Sequence, residues 1–267
     1  MSGFFSKTHE SIPEPITDQN DYRYCTGSID NVSFSGLMTF ERCPYALFLD
    51  KVSKIPGVSG PAATRGSSIH DMLEQYVNGT LDETEINWNL MKSGSYHKNL
   101  IDTFRKDYEQ GLVIPEFKYA INKKLKPTKW DSQTMWHRGA IDLVLFKTLK
   151  KKQAVMFDYK TGKMNKTVVH RSQLLLYALM LFIHFPKLED ITSSPLYLDF
   201  KVDPFYTTFK RSDLDLFLPR WVTRFKQVTE ATVFPARSNK FNCLWCQHKT
   251  PQAELNQVEP SCSFGVM

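Results

Sequence analysis

Two acidic residues interrupt apolar runs in the middle of this sequence. Asp142 lies within Gly139-Ala140-Ile141-Asp142-Leu143-Val144-Leu145-Phe146, and Asp158 lies within Ala154-Val155-Met156-Phe157-Asp158-Tyr159-Lys160-Thr161-Gly162. Both runs read as strands. Strand side chains alternate faces, so Asp158 and Lys160 point the same way, and pairing of the two runs brings Asp142 beside them. Two carboxylates on one patch repel each other unless a cation sits between them. Oxygen donors of this kind favour Mg²⁺ or Mn²⁺. An adjacent lysine orients a water or stabilises phosphoryl charge. Together these are the parts of metal-assisted phosphodiester hydrolysis. Taken singly, each Asp reads more readily as a strand-end charge, solvated or paired to lysines.

The elements around these residues follow from periodicity. Ser33 and Ser35 offer capping hydroxyls before two short apolar runs broken at Pro44, which predicts two small helices. Ile69, Leu73 and Val77, four apart, predict a helix over Gly66–Val77. Residues 81–108 read as a helix pair. Residues 112–121 read as extended, with Pro115 marking an edge or a strand start. Strands follow over 135–146 and 154–160, joined by a Lys-rich turn. Residues 166–185 then form a long helix, 195–209 a hairpin turning at Asp203-Pro204, and 212–229 a helix. This order argues for an α/β fold, a mixed central sheet flanked by helices. Residues 1–30 read as a flexible arm and 31–267 as one domain. Within it lie a helical attachment (31–110), a core (111–210 with helix 66–78) and a C-terminal helix with a Cys-bearing tail (211–267).

The motifs, taken in order, resemble the PD-(D/E)xK nuclease superfamily, and within it the RecB-like exonuclease branch, which includes AddAB nuclease domains and CRISPR-associated adaptation exonucleases. The resemblance runs over residues 33–178. It comprises Ser33-x-Ser35 with Cys43-Pro44-Tyr45, Gly66-x-x-Ile69-His70, Gly139-Ala140-Ile141-Asp142, Asp158-Tyr159-Lys160-Thr161-Gly162 and Gln173-x-x-x-Tyr177-Ala178. It implies a restriction-endonuclease-like fold. It also implies that His70, Asp142 and Asp158 are side-chain metal ligands for Mg²⁺ or Mn²⁺, that Tyr159 is a backbone ligand, and that Lys160 is the catalytic lysine. Gln173 and Tyr177, at i and i+4 on one helix face, border the site in that family. Glu116 resembles a Glu found on the strand before the first acidic ligand. Glu74 shares a helix face with His70 and is expected to pair with a lysine.

Five cysteines and no export signal argue against a disulfide framework and for a cytoplasmic setting. Some RecB-like nucleases hold a [4Fe-4S] cluster on one Cys near the N-terminal motif and three after the core. Cys43, Cys243, Cys246 and Cys262 match that order, although the fifteen residues between Cys246 and Cys262 exceed the family's usual gap. A cluster, a zinc ion that includes His248 or Cys43, and plain reduced thiols all remain open here.

With 42% hydrophobic residues and a formal net charge of +6, the chain can bury a core and suits a polyanionic partner. No apolar run approaches the roughly 20 residues of a membrane span. Basic residues cluster at Lys118, Lys123, Lys124, Lys126, Lys129, Lys147–Lys152 and Lys163–Arg171. Phe117, Tyr119, Trp130 and Trp136 lie among them, a mix suited to phosphates and base stacking. The expectation is a metal-dependent DNA exonuclease acting on DNA with a free end in recombination, repair or phage-type processing, with a recombination or replication protein as a further partner. A structure-specific endonuclease and a non-catalytic DNA-binding scaffold are the alternatives.

Overall fold

Alternating apolar residues build the sheet on which everything else is mounted. The computed structural model describes residues 24–55, 57, 60–164, 168–244, 246–248 and 262. In chain order the elements are β1 (Tyr24–Thr26), α1 (Phe34–Arg42), α2 (Pro44–Lys51), α3 (Pro61–Val77), α4 (Gly94–Glu109), β2 (Val113–Asn122), β3 (Met135–Phe146), β4 (Gln153–Lys160), α5 (Val168–His184), β5 (Asp190–Tyr197), β6 (Thr207–Lys210), α6 (Asp213–Thr229), β7 (Val233–Pro235) and α7 (Lys240–Leu244). Strands β2-β3-β4-β5-β6 form a five-stranded sheet in that order. β4 and β5 run parallel across the α5 crossover, and the other neighbours are antiparallel. This is the mixed α/β sheet flanked by helices that the sequence predicts.

Each face of the sheet carries its own core. On one face Leu37 and Phe40 of α1, the apolar length of α5 and Trp221 and Phe225 of α6 close over Ile121, Val144, Phe146 and Met156. On the other, Ile69, Leu73, Tyr76 and Val77 of α3 and Ile101 and Phe104 of α4 cover Val113, Leu143, Phe157 and Tyr159. Strict alternation slips at Ile121/Asn122, where the register shifts, and again in the middle of β2 and β3. Ile114 and Phe117 of β2, three apart, both pack on the α5 face, as do Ile141 and Val144 of β3. Between them sits Glu116, with φ of +43°. A non-glycine residue in that region costs about 1–3 kcal/mol, and the paired strands on either side hold it there.

Three expectations are revised. Only the second half of the predicted helix pair over 81–108 is a full helix. The first half is loop apart from a single 3₁₀ turn at Trp88–Leu90. The return strand begins at Asp190, not near Pro195, and pairs Ser193 with Thr207. Its start reads as polar because Ser193 and Ser194 are fully buried, with their hydroxyls donated to the Thr207 and Pro195 carbonyls. Residues 1–23 of the expected arm lie outside the described residues. Residues 24–30 are integral instead: β1 pairs with β7, and Ile29 is buried. Among the described residues no helix is long and apolar enough to cross a membrane.

Gly139 illustrates how tightly the strand that carries Asp142 is held. A Cβ there would run into the Tyr119 ring on the paired strand, which is itself buried. Gly139→Ala is expected to destabilise the fold by about 1–3 kcal/mol, the usual cost of overpacking, as measured by urea denaturation.

Candidate active site

The pairing of β3 with β4 ends at Leu143 and Phe157. One residue further, Asp142 and Asp158 stand where the strands part. Parting leaves the Tyr159 N–H without a ladder partner, and it donates to Asp142 Oδ2 at 2.5 Å. The other oxygen of Asp142 accepts from His70 Nδ1 at 2.9 Å. His70 reaches it because it borders the buried stripe of α3, next to Ile69, with its imidazole 31% exposed at the mouth of the fork. Asp142 therefore binds together the helix and both strands of the site.

Asp158 and Lys160 point together, as alternation requires, and their charged groups lie 2.6 Å apart. Lys160 Nζ also donates to Gln173 Oε1 at 3.2 Å, and Gln173 Nε2 donates to the Tyr177 hydroxyl at 2.8 Å. Gln173 and Tyr177 are brought to this chain by the 3.6-residue period of α5. Glu116, at the strained position of β2, lies near enough to Asp142 and Glu74 to feel both charges. Glu74, expected to pair with a lysine, thus adds to the acidic side of the fork.

The electrostatics are those of crowded acids. Burial raises the Asp158 pKa. The Lys160 ammonium opposes that rise, and the Asp142 carboxylate adds to it. Glu116 is raised by burial and by Asp142. Burial pulls His70 down, yet the Asp142 hydrogen bond and charge outweigh it and hold the imidazolium above its usual range. The Tyr159 hydroxyl is buried without a hydrogen-bond partner among the described residues. Asp142 and Asp158 are each engaged by a neighbouring cation or N–H. Among the described residues no three His, Cys, Asp or Glu side chains are gathered tightly enough to hold one metal ion.

Arg65 and Asp199, which the sequence reading passed over, anchor this site from behind. Asp199 follows the end of β5, and its side chain is 2% exposed. It accepts two hydrogen bonds from the Arg65 guanidinium on α3, one from Lys92 N and one from Gly162 N. It thereby fixes the turn after Lys160 to the helix that carries His70. An isolated acid closing the apolar run Leu196-Tyr197-Leu198 is the same signal that marked Asp142.

The cysteines form a separate cluster. Cys43, Cys243, Cys246 and Cys262 line one narrow cavity between α2 and α7, together with Tyr45 and His248. His248 Nε2 is engaged by Asp50. Cys25 is not among the cavity's residues. Of the aromatics expected along a nucleic-acid path, Tyr119 and Trp136 are buried and Phe117 packs against the core, whereas Trp130 is exposed. Tyr119 and Trp136 each sit in a run of three consecutive buried residues, 119–121 and 135–137.

The profile of the PD-(D/E)XK nuclease superfamily matches residues 31–250. No curated protein matches the chain. Among solved structures, a candidate exonuclease from Eubacterium rectale is 12% identical, with 88% of this chain and 94% of that one covered and a TM-score of 0.45. The protein SSO0001 is 14% identical, with 83% and 85% covered and a TM-score of 0.40.

The Asp199 hub makes a prediction independent of catalysis. The hydrogen bonds from Arg65, Lys92 and Gly162 outweigh burial and hold its pKa down to about 2. A depressed carboxylate stabilises the fold fully above its ordinary pKa of about 4, and that stabilisation is lost as pH falls toward 2. Asp199→Asn should therefore cost about 2 kcal/mol at neutral pH, with the gap to wild type shrinking below pH about 4. Urea titrations at both pH values check this.

Proposed function

Because this chain belongs to the PD-(D/E)XK nuclease superfamily, we propose that it is a metal-dependent DNA exonuclease, cutting phosphodiester bonds from a free end during recombination, repair or phage-type DNA processing. The observation that carries the reading is the convergence of His70, Asp142, Asp158 and Lys160, from three elements, on the fork between β3 and β4. Their donor set is one imidazole nitrogen and carboxylate oxygens, with the Tyr159 carbonyl adjacent, which suits Mg²⁺ or Mn²⁺. The acids also fit a cation chemically. Burial and mutual repulsion raise Asp158 and Glu116, and a divalent ion would relieve both. When bound, it would supply Lewis acidity toward a phosphoryl oxygen and an acidified water.

The chain's own residues do the rest. His70 and the Tyr159 N–H hold the Asp142 carboxylate in one orientation. Lys160, steadied by Gln173 and Tyr177, keeps a positive charge at the fork, where charge builds on the phosphate during cleavage. Glu116 adds a carboxylate whose raised pKa favours taking up a proton. Exonuclease action, in preference to a structure-specific endonuclease, is supported by the resemblance of the motif order to the RecB-like branch. Intact Asp142, Asp158 and Lys160 weigh against a non-catalytic scaffold.

Incubation of linear and covalently closed circular DNA with Mg²⁺ or Mn²⁺ tests the reading. Linear DNA should be degraded and circles spared, EDTA should abolish activity, and Lys160→Ala should reduce it by at least about 100-fold. Cutting of circles would favour the endonuclease. Unchanged cleavage by Lys160→Ala would overturn the mechanism, and no cleavage of any DNA would favour the scaffold.

We also propose that Cys43, Cys243, Cys246 and Cys262 hold an iron–sulfur cluster. Support comes from their convergence on one cavity from both ends of the domain. Four soft thiol donors suit iron–sulfur chemistry, and a cluster spaces its ligands more widely than a single ion does. Metal analysis of anaerobically purified protein should find iron with visible absorbance, both lost in Cys43→Ser. Stoichiometric zinc would select the zinc site instead, and neither metal would leave reduced thiols.

A further inference from the structure

The loop joining β2 to β3 carries an exposed aromatic ring that no part of the core requires. Trp130 keeps 37% of its surface exposed. The guanidinium of Arg138 on β3 lies 4.8 Å from its ring centroid and also donates to the Trp130 carbonyl at 3.3 Å. Lys123, Lys124, Lys126 and Lys129 are all exposed on the same loop. The loop is held in shape: Asn122 Oδ1 accepts from the backbone of Lys124 and Lys126, and Thr128 N donates to the Ala120 carbonyl.

This ring stands in line with the fork. Lys118 pairs with Ala140 and Ala120 with Arg138 across the strands, and cross-strand partners share a face. Residues 138 and 140 follow one another on β3 at the two-residue period, and Asp142 comes next at the slip, where it reaches His70 on the α3 face. Arg138 therefore lies four residues from Asp142, about 13 Å at the rise of a strand. Exposed Lys118 falls between them on the neighbouring strand. That interval takes about four nucleotides at the helical rise of about 3.4 Å, or fewer in an extended strand.

Resting on the nuclease reading above, we propose that Trp130, backed by Arg138, is a base-stacking platform for a single-stranded DNA segment whose phosphates follow Lys118 toward the fork. Phosphates are neutralised by lysines, and an indole with one face on a guanidinium offers its remaining surface to a base. A duplex keeps its bases stacked on one another, so only an unpaired base has a face to give. The preset loop lowers the cost of ordering on binding.

The test is fluorescence anisotropy of labelled oligo(dT), in EDTA to prevent cleavage, with a blunt duplex of equal length as the comparison. Trp130→Ala should raise the Kd for oligo(dT) about 5- to 150-fold, the loss of one stacked base. It should leave the duplex Kd unchanged, and Trp130→Phe should retain most of the affinity. An unchanged Kd for oligo(dT), an equal loss on both ligands, or no binding of oligo(dT) by wild type would each overturn the platform. Cleavage is read separately with Mg²⁺ present. Trp130-dependent binding without any cleavage by wild type would sink the nuclease reading and leave the platform standing.

Discussion

The site exists because two neighbouring strands stop pairing at one defined residue. A β ladder that ends leaves backbone groups that must find partners. Here the Tyr159 N–H finds the Asp142 carboxylate, so the acid that sits at the fork also repairs the backbone that opens it. The same carboxylate takes His70 from α3. Removing Asp142 thus takes away a site charge, a strand-end partner and the tie to a helix together. The slip in alternation at Glu116 belongs to the same arrangement, since it turns that carboxylate toward Asp142 while Ile114 and Phe117 still reach the core on the α5 face.

Charge at the fork is tolerated because it is engaged on every side. Lys160 holds Asp158, Gln173 and Tyr177 hold Lys160, and His70 holds Asp142. Behind the fork, Asp199 gathers Arg65, Lys92 and Gly162. A buried carboxylate with four hydrogen bonds fixes its neighbours more firmly than apolar packing does, because each bond has a direction. It acts on the ends of the site: the start of α3 and the turn that closes the Asp158–Gly162 segment.

The two ends of the described chain are brought together away from the fork. β1 pairs with β7, Arg224 forms an ion pair with Glu41, and Arg237 donates to the Glu41 carbonyl. These contacts set α2 and α7 side by side and bring Cys43 near the C-terminal cysteines. A metal group there would reinforce a junction that hydrogen bonds already hold.

Periodicity alone made the strands over 135–146 and 154–160, the helix of His70 and the long helix of Gln173 legible, because one-sided burial prints its period on the sequence. The types and spacing of Asp142, Asp158 and Lys160 likewise point to a chemistry without reference to the fold. Local pattern could not reveal the start of β5, where buried serines mimic a loop, nor the first part of the 81–108 segment, where apolar residues serve a turn. It also misled at Tyr119 and Trp136, which join the core. What only the tertiary structure decided were the meetings of residues far apart in the chain: Arg65 with Asp199, Glu116 with Asp142, and four cysteines from opposite ends around one cavity. Sequence records a residue's local period and type. Which distant partner it meets is set by where the strands stop pairing and how the helices pack across them.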